Sequence, residues 1–151
     1  MSQISSLIIL AFGFLALISF LLGYYQSIIK KNPFQETPSL LIFGIFVWGD
    51  AVVLGLLWLL VSLVTFLLND WTLFLLFISV FWTVRSSGEV IYWLNQQFSP
   101  LNRNPPERLK GYCIFGNESI WFVYQLVWQC ILVVSSITSV FLTNFWINSK
   151  F

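Results

Sequence analysis

Residues 51–68 read AVVLGLLWLLVSLVTFLL, with Ser62 and Thr65 the only polar side chains in the run. A helix rising ~1.5 Å per residue needs about 20 apolar residues to cross the hydrocarbon core of a bilayer. A helix on the surface of a soluble protein keeps a polar stripe along its length. Here that stripe is missing, and lipid is the solvent that tolerates its absence. Working outward, the apolar character reaches back to Pro38, so the stretch is read as one helix over 38–68. Three further stretches have the same character: 4–29, 71–98 and 119–147. The expected fold is all-α: a polytopic membrane protein with four transmembrane helices in an antiparallel bundle, forming a single domain over 1–151.

Composition agrees. Of the 151 residues, 58% are hydrophobic and 9% charged, against roughly 45–50% and 25% in an ordinary soluble domain. That excludes a disordered chain, a basic nucleic-acid binder and a standard soluble enzyme. A net charge of +1 gives no electrostatic pull toward an acidic partner. The absence of His removes the Ser-His-Asp triad, the HExxH zinc site and His-ligated haem. Cys113 and Cys130 form no C-x-x-C pair. No catalytic residue, metal site or cofactor is expected. The expected partners are the lipid bilayer and further copies of the chain or a larger membrane complex, with no nucleic acid.

The first apolar stretch differs from a signal peptide in the order of its charges. Met1-Ser2-Gln3 carries no charged side chain, whereas Lys30 and Lys31 follow the apolar run. An uncleaved helix is expected. Lys30 and Lys31 lie after the first helix and Arg103, Arg108 and Lys110 after the third, against Lys150 alone on the opposite side. The positive-inside rule therefore predicts both termini on the non-cytoplasmic face, in a plasma membrane.

The short Asn69-Asp70 turn makes the second and third helices an antiparallel hairpin, with Asp70 suited to the N-cap of the third. The long loop runs from Ser99 to Glu118 and is broken by Pro100 and Pro105-Pro106. Within it Tyr112, Ile114 and Phe115 are placed on the membrane surface. Trp71, Trp121 and Trp146 near the helix ends fit an interfacial belt, while Trp48, Trp58, Trp82, Trp93 and Trp128 lie deeper.

Three charges fall inside the apolar stretches: Asp50, Arg85 and Glu89. Each costs about 2.5–3.5 kcal/mol at the centre of a membrane helix on insertion scales. Arg85 and Glu89 are four apart and share a helix face. Asp50 precedes Asn69 by 19 residues and Glu89 follows Asp70 by 19, so hairpin geometry places them at one height. Arg85 sits one turn away, about 6 Å along the axis. An Asp50–Arg85–Glu89 cluster is predicted, with a surplus negative charge suited to a proton or cation.

The same face continues through Tyr92 and Gln96, and the fourth helix offers Gln125 and Gln129. These four are expected to line a polar vestibule whose mouth lies beside Lys30, Arg103 and Arg108. Gly44, Gly49 and Gly55 in the second helix and Ser86, Ser87 and Gly88 in the third are read as close-packing positions. Three functions fit this pattern. The first is an ion- or proton-coupled transporter or channel subunit using Asp50, Arg85 and Glu89. The others are a non-catalytic membrane subunit that binds a partner, and a membrane enzyme acting on a lipid or quinone.

Overall fold

The structure is a computed structural model of the chain and describes residues 1–99 and 103–150; Pro100, part of the predicted loop, lies outside the described residues. Among the described residues the elements are helical, apart from one isolated antiparallel bridge between Glu36 and Val47. Helix α1 spans Gln3–Tyr24 and runs on as a π-helical turn, Tyr25–Ile29. Helix α2 is Trp48–Leu67, α3 is Trp71–Phe98, α4 is the single turn Tyr112–Phe115, and α5 is Ser119–Lys150. Among the described residues four helical segments are long and apolar enough to cross a membrane: Gln3–Ile29, α2, α3 and α5. The chain divides into two compact units, Met1–Phe77 and Ile78–Phe151, with the boundary inside α3.

In the first unit, α1 begins where the Ser2 hydroxyl accepts the Ser5 N–H at 3.1 Å. Its buried residues are Ile9, Gly13, Ala16, Ser19 and Gly23, spaced four, three, three and four apart on one face. They meet the small residues of α2. A Cβ on Gly13 would lie 2.9 Å from the Ser62 Cβ, and one on Gly23 would lie 2.6 Å from the Ala51 Cβ. A Cβ on Gly55 would come within 2.8 Å of the Phe20 backbone nitrogen. As numbers rise along α1 they fall along α2, so the two helices run antiparallel. Small residues let the backbones approach, and dispersion contacts accumulate along the seam. Buried Trp58 completes this core, its indole N–H donating to the Phe43 carbonyl at 2.9 Å. The Phe12 ring sits 4.7 Å from that of Phe43 and 5.3 Å from those of Trp58 and Phe74.

The second helix does not start at Pro38. Residues Pro38–Phe43 form a 3-10 turn that ends at Gly44, whose φ of 70° lies in the left-handed region. The chain then doubles back. Thr37 N–H donates to Phe46 O at 2.8 Å, Trp48 N–H to Gln35 O at 3.2 Å and Gly49 N–H to Pro33 O at 2.8 Å. These bonds satisfy the backbone of an apolar segment, whose Phe43 and Ile45 are buried, without a continuous helix. Gly49 thus admits a loop carbonyl at the start of α2 and is not a helix-packing position.

Asp70 caps α3, its carboxylate accepting the Leu73 N–H at 3.0 Å. In the second unit, α3 and α5 meet through three pairs, of which Thr83–Ser139 and Gln97–Gln125 run in opposite senses along the two helices. The Trp82 and Trp128 rings stack with centroids 6.4 Å apart. The Thr83 and Ser139 hydroxyls lie 3.4 Å apart, and the Gln97 amide donates to Gln125 Oε1 at 2.7 Å. The connection to α5 is pinned by a core of Trp93, Ile120 and Trp121, against which Tyr92, Leu109, Tyr112, Tyr124 and Trp128 pack. Trp121 is therefore a core residue, not part of an interfacial belt. Helix α4 lies between Gly111 and Gly116, at φ of 93° and 63°, and leaves Ile114 and Phe115 exposed. Asn117 Oδ1 accepts the Ser119 N–H at 2.8 Å as α5 begins.

Candidate polar site on the third helix

Arg85, Glu89, Tyr92 and Gln96 follow one another at spacings of four, three and four, which keeps all four on one face of α3, and Ser99 continues the spacing just past its end. The Arg85 guanidinium lies 3.5 Å from the Glu89 carboxylate, with side-chain exposures of 26% and 18%. The two charges are thus held together on one helix and mostly withdrawn from the surface.

Toward the end of α3 the face opens into a cavity of about 230 Å³ lined by Tyr92, Asn95, Gln96, Ser99 and Arg103. Gln96, at 4% exposure, is a buried side chain that lines it. The frame is built by Asn104. Its side-chain amide donates to the Tyr92 hydroxyl, and its carbonyl accepts the Trp121 indole N–H at 3.0 Å. The Tyr124 hydroxyl donates to the Lys110 carbonyl at 3.2 Å. Side chains of α3 and α5 therefore grip the segment that carries Arg103. Because Asn104 donates to Tyr92, the Tyr92 hydroxyl keeps its own proton for another acceptor.

The other expected positions lie as follows. Gln125 is buried, with Gln97 as its partner, and Gln129 is half-buried on α5. Arg108 ends the 3-10 turn Pro106–Arg108 and is not among the residues lining the cavity. Lys30 belongs to the first unit, its ammonium 5.2 Å from the centre of the Tyr25 ring. Asp50 belongs to the first unit too, in the first turn of α2, where its carboxylate accepts the Phe46 N–H at 3.2 Å. A carboxylate there faces the positive end of the helix dipole and satisfies an amide at the helix start. Asp50 is thus a helix-start residue, not a mid-helix charge.

Asn95, Gln97, Ser99 and Asn104 were not anticipated. Ser99 carried a signal, because it continues the alternating four-three spacing beyond Gln96. Asn104 carried none, since its role depends on where the connection folds. No protein-family model matches the chain, no curated protein matches it, and no solved structure matches it.

Proposed function

We propose that the protein is an integral membrane protein of the transport class, a carrier or channel subunit, in which the polar face of α3 is the working site. One observation carries this: Arg85, Glu89, Tyr92 and Gln96 make an unbroken polar stripe on a helix long and apolar enough to span a bilayer, and Ser99 extends it just past the helix end. From Arg85 to Gln96 the stripe covers about 16 Å of helix, roughly half of the hydrocarbon thickness. Unpaired polar groups in hydrocarbon cost several kcal/mol, so a stripe this long is retained where it faces water or a ligand. Glu89 is the group that takes up a proton or cation, and Arg85 balances its charge when it is empty. The lysine and arginine asymmetry puts the cavity on the cytoplasmic side and both termini outside.

The test is proton flux into proteoliposomes holding the purified full-length chain, read with an internal pH dye under an imposed gradient. Glu89→Gln should abolish flux above empty vesicles, and Gly88→Ala should retain it. Wild-type flux no higher than that of empty vesicles sinks the transport reading.

A second reading is a non-catalytic membrane subunit. It is favoured by α5, where the buried residues are confined to Ile120, Trp121, Gln125 and Ser135 in a 32-residue helix. Absence of flux together with stable co-purification of a membrane partner would support it.

A further inference from the structure

The cavity at the end of α3 has a chemistry of its own. Among the described residues its lining offers a guanidinium, a phenolic hydroxyl, two carboxamides and an aliphatic hydroxyl, none of them a carboxylate or an apolar side chain. A metal cation or ammonium group would find only neutral oxygens here, beside the positive charge of Arg103. An apolar ligand would strand the donors. The complementary ligand is an oxyanion. The C-terminal end of α3 contributes about half a negative charge, which the full charge of Arg103 outweighs. At about 230 Å³ the cavity falls below the ~300 Å³ at which drug-sized molecules are held, so it suits a small polar group.

We propose that this cavity is a phosphate-binding site. Phosphate presents several strong acceptor oxygens, which matches donors converging from successive turns of α3 and from the segment beyond it. Arg103 supplies a forked pair of N–H groups to two of those oxygens. Tyr92, whose hydroxyl proton is left available by the bond from Asn104, and buried Gln96 supply donors from the helix. The Asn104–Trp121 bond holds the Arg103 segment in place before any ligand arrives, which lowers the ordering cost of binding. Free inorganic phosphate and a phospholipid headgroup share this chemistry.

The assignment rests on the polar face of α3 being the working site, yet the two fail separately. Full-length protein is reconstituted in nanodiscs and probed in two arms. One arm titrates inorganic phosphate by calorimetry. The other compares nanodiscs of phosphatidylcholine alone with nanodiscs containing phosphatidic acid, reading lipid retained after detergent exchange. Expected is binding in one arm that Arg103→Gln weakens about tenfold or more. Ser99→Ala should weaken it less, and Arg108→Gln, outside the cavity, should leave it unchanged. Response in the phosphate arm identifies a soluble anion; response confined to the phosphatidic acid arm identifies a headgroup. Arg103-dependent binding without proton flux upholds the site and removes only the transport role. Silence in both arms, binding that survives Arg103→Gln, or equal loss in Arg103→Gln and Arg108→Gln overturns the proposal.

Discussion

The backbone of Phe20 passes so close to Gly55 that a Cβ there would meet the Phe20 nitrogen at 2.8 Å and its Cα at 2.9 Å. No side-chain rotation relieves that approach, because the obstructing atoms are main chain. Gly55→Ala should therefore push α1 and α2 apart and destabilise the first unit by about 1–3 kcal/mol, as overpacking does. Gly23→Ala should behave alike, since its Cβ would meet backbone atoms of Ala51 and Val52 at 3.0 Å. Gly88→Ala is the contrast: a Cβ there meets nothing within 4 Å among the described residues, and alanine favours helix. Thermal unfolding of the three variants in one detergent should rank Gly88→Ala at or above wild type and the other two below it.

Asp50 at the start of α2 predicts a graded series. Asp50→Ala removes both the acceptor for Phe46 N–H and the favourable charge at the helix N-terminus, a loss of about 0.5–2 kcal/mol. Asp50→Asn keeps an acceptor oxygen and should lose only the charge component, roughly 0.3–1 kcal/mol. Hydrogen exchange of the first α2 amides should show greater opening in alanine than in asparagine. Equal exchange in all three proteins would remove the helix-start role.

The Arg85–Glu89 pair should respond asymmetrically. Arg85→Leu takes the cation from beside the half-buried Glu89 carboxylate, which should cost about 1–3 kcal/mol, less than the ~3–5 kcal/mol of a fully buried pair. Glu89→Gln keeps a neutral acceptor beside the guanidinium and should cost less. The double variant Arg85→Leu/Glu89→Leu should recover much of the loss, because neither charge is then stranded. A double-mutant cycle on unfolding free energies measures this coupling, and simple additivity would show that the contact contributes nothing.

Gln97 and Gln125 offer a parallel cycle with neutral groups. Each side chain satisfies the other at 2.7 Å, with Gln125 buried. Gln125→Leu should cost about 0.5–1.5 kcal/mol, the net worth of one hydrogen bond, because the Gln97 amide keeps its bond to the Trp93 carbonyl at 3.1 Å. Adding Gln97→Leu should restore part of it. The reading is again unfolding of purified protein, and a double variant worse than the sum of the singles would argue against the pair.

Topology can be read from a native thiol, since Cys113 is exposed on the α3–α5 connection. With Cys130 replaced by alanine, a membrane-impermeant maleimide should label Cys113 only after the cytoplasmic side is opened. In a Cys113→Ala background, Ser2→Cys should be labelled from intact cells. The reverse pattern would invert the orientation drawn from Lys and Arg placement.

Much of this was legible from residue order alone, where the physics is local. An 18-residue run with two hydroxyls needs an apolar surround whatever its neighbours are. Asp70 caps α3 because its side chain reaches an amide three residues on. Arg85 and Glu89 meet because helical geometry stacks positions four apart, and the same period aligns Tyr92 with Gln96. What depends on distant parts of the chain meeting was not legible. Hydropathy is the same for a buried turn and a helix, so the reversal at Gly44 was invisible, and with it the move of Asp50 from mid-helix to first turn. The small residues of α1 became a seam only once α2 lay against them. Trp121 was drawn inward because the folded connection brought the Asn104 carbonyl to its indole N–H. Gln125 found Gln97 only when α3 and α5 were in register. Each of these is a choice of partner between residues far apart in sequence, set by packing and the need to satisfy buried polar groups.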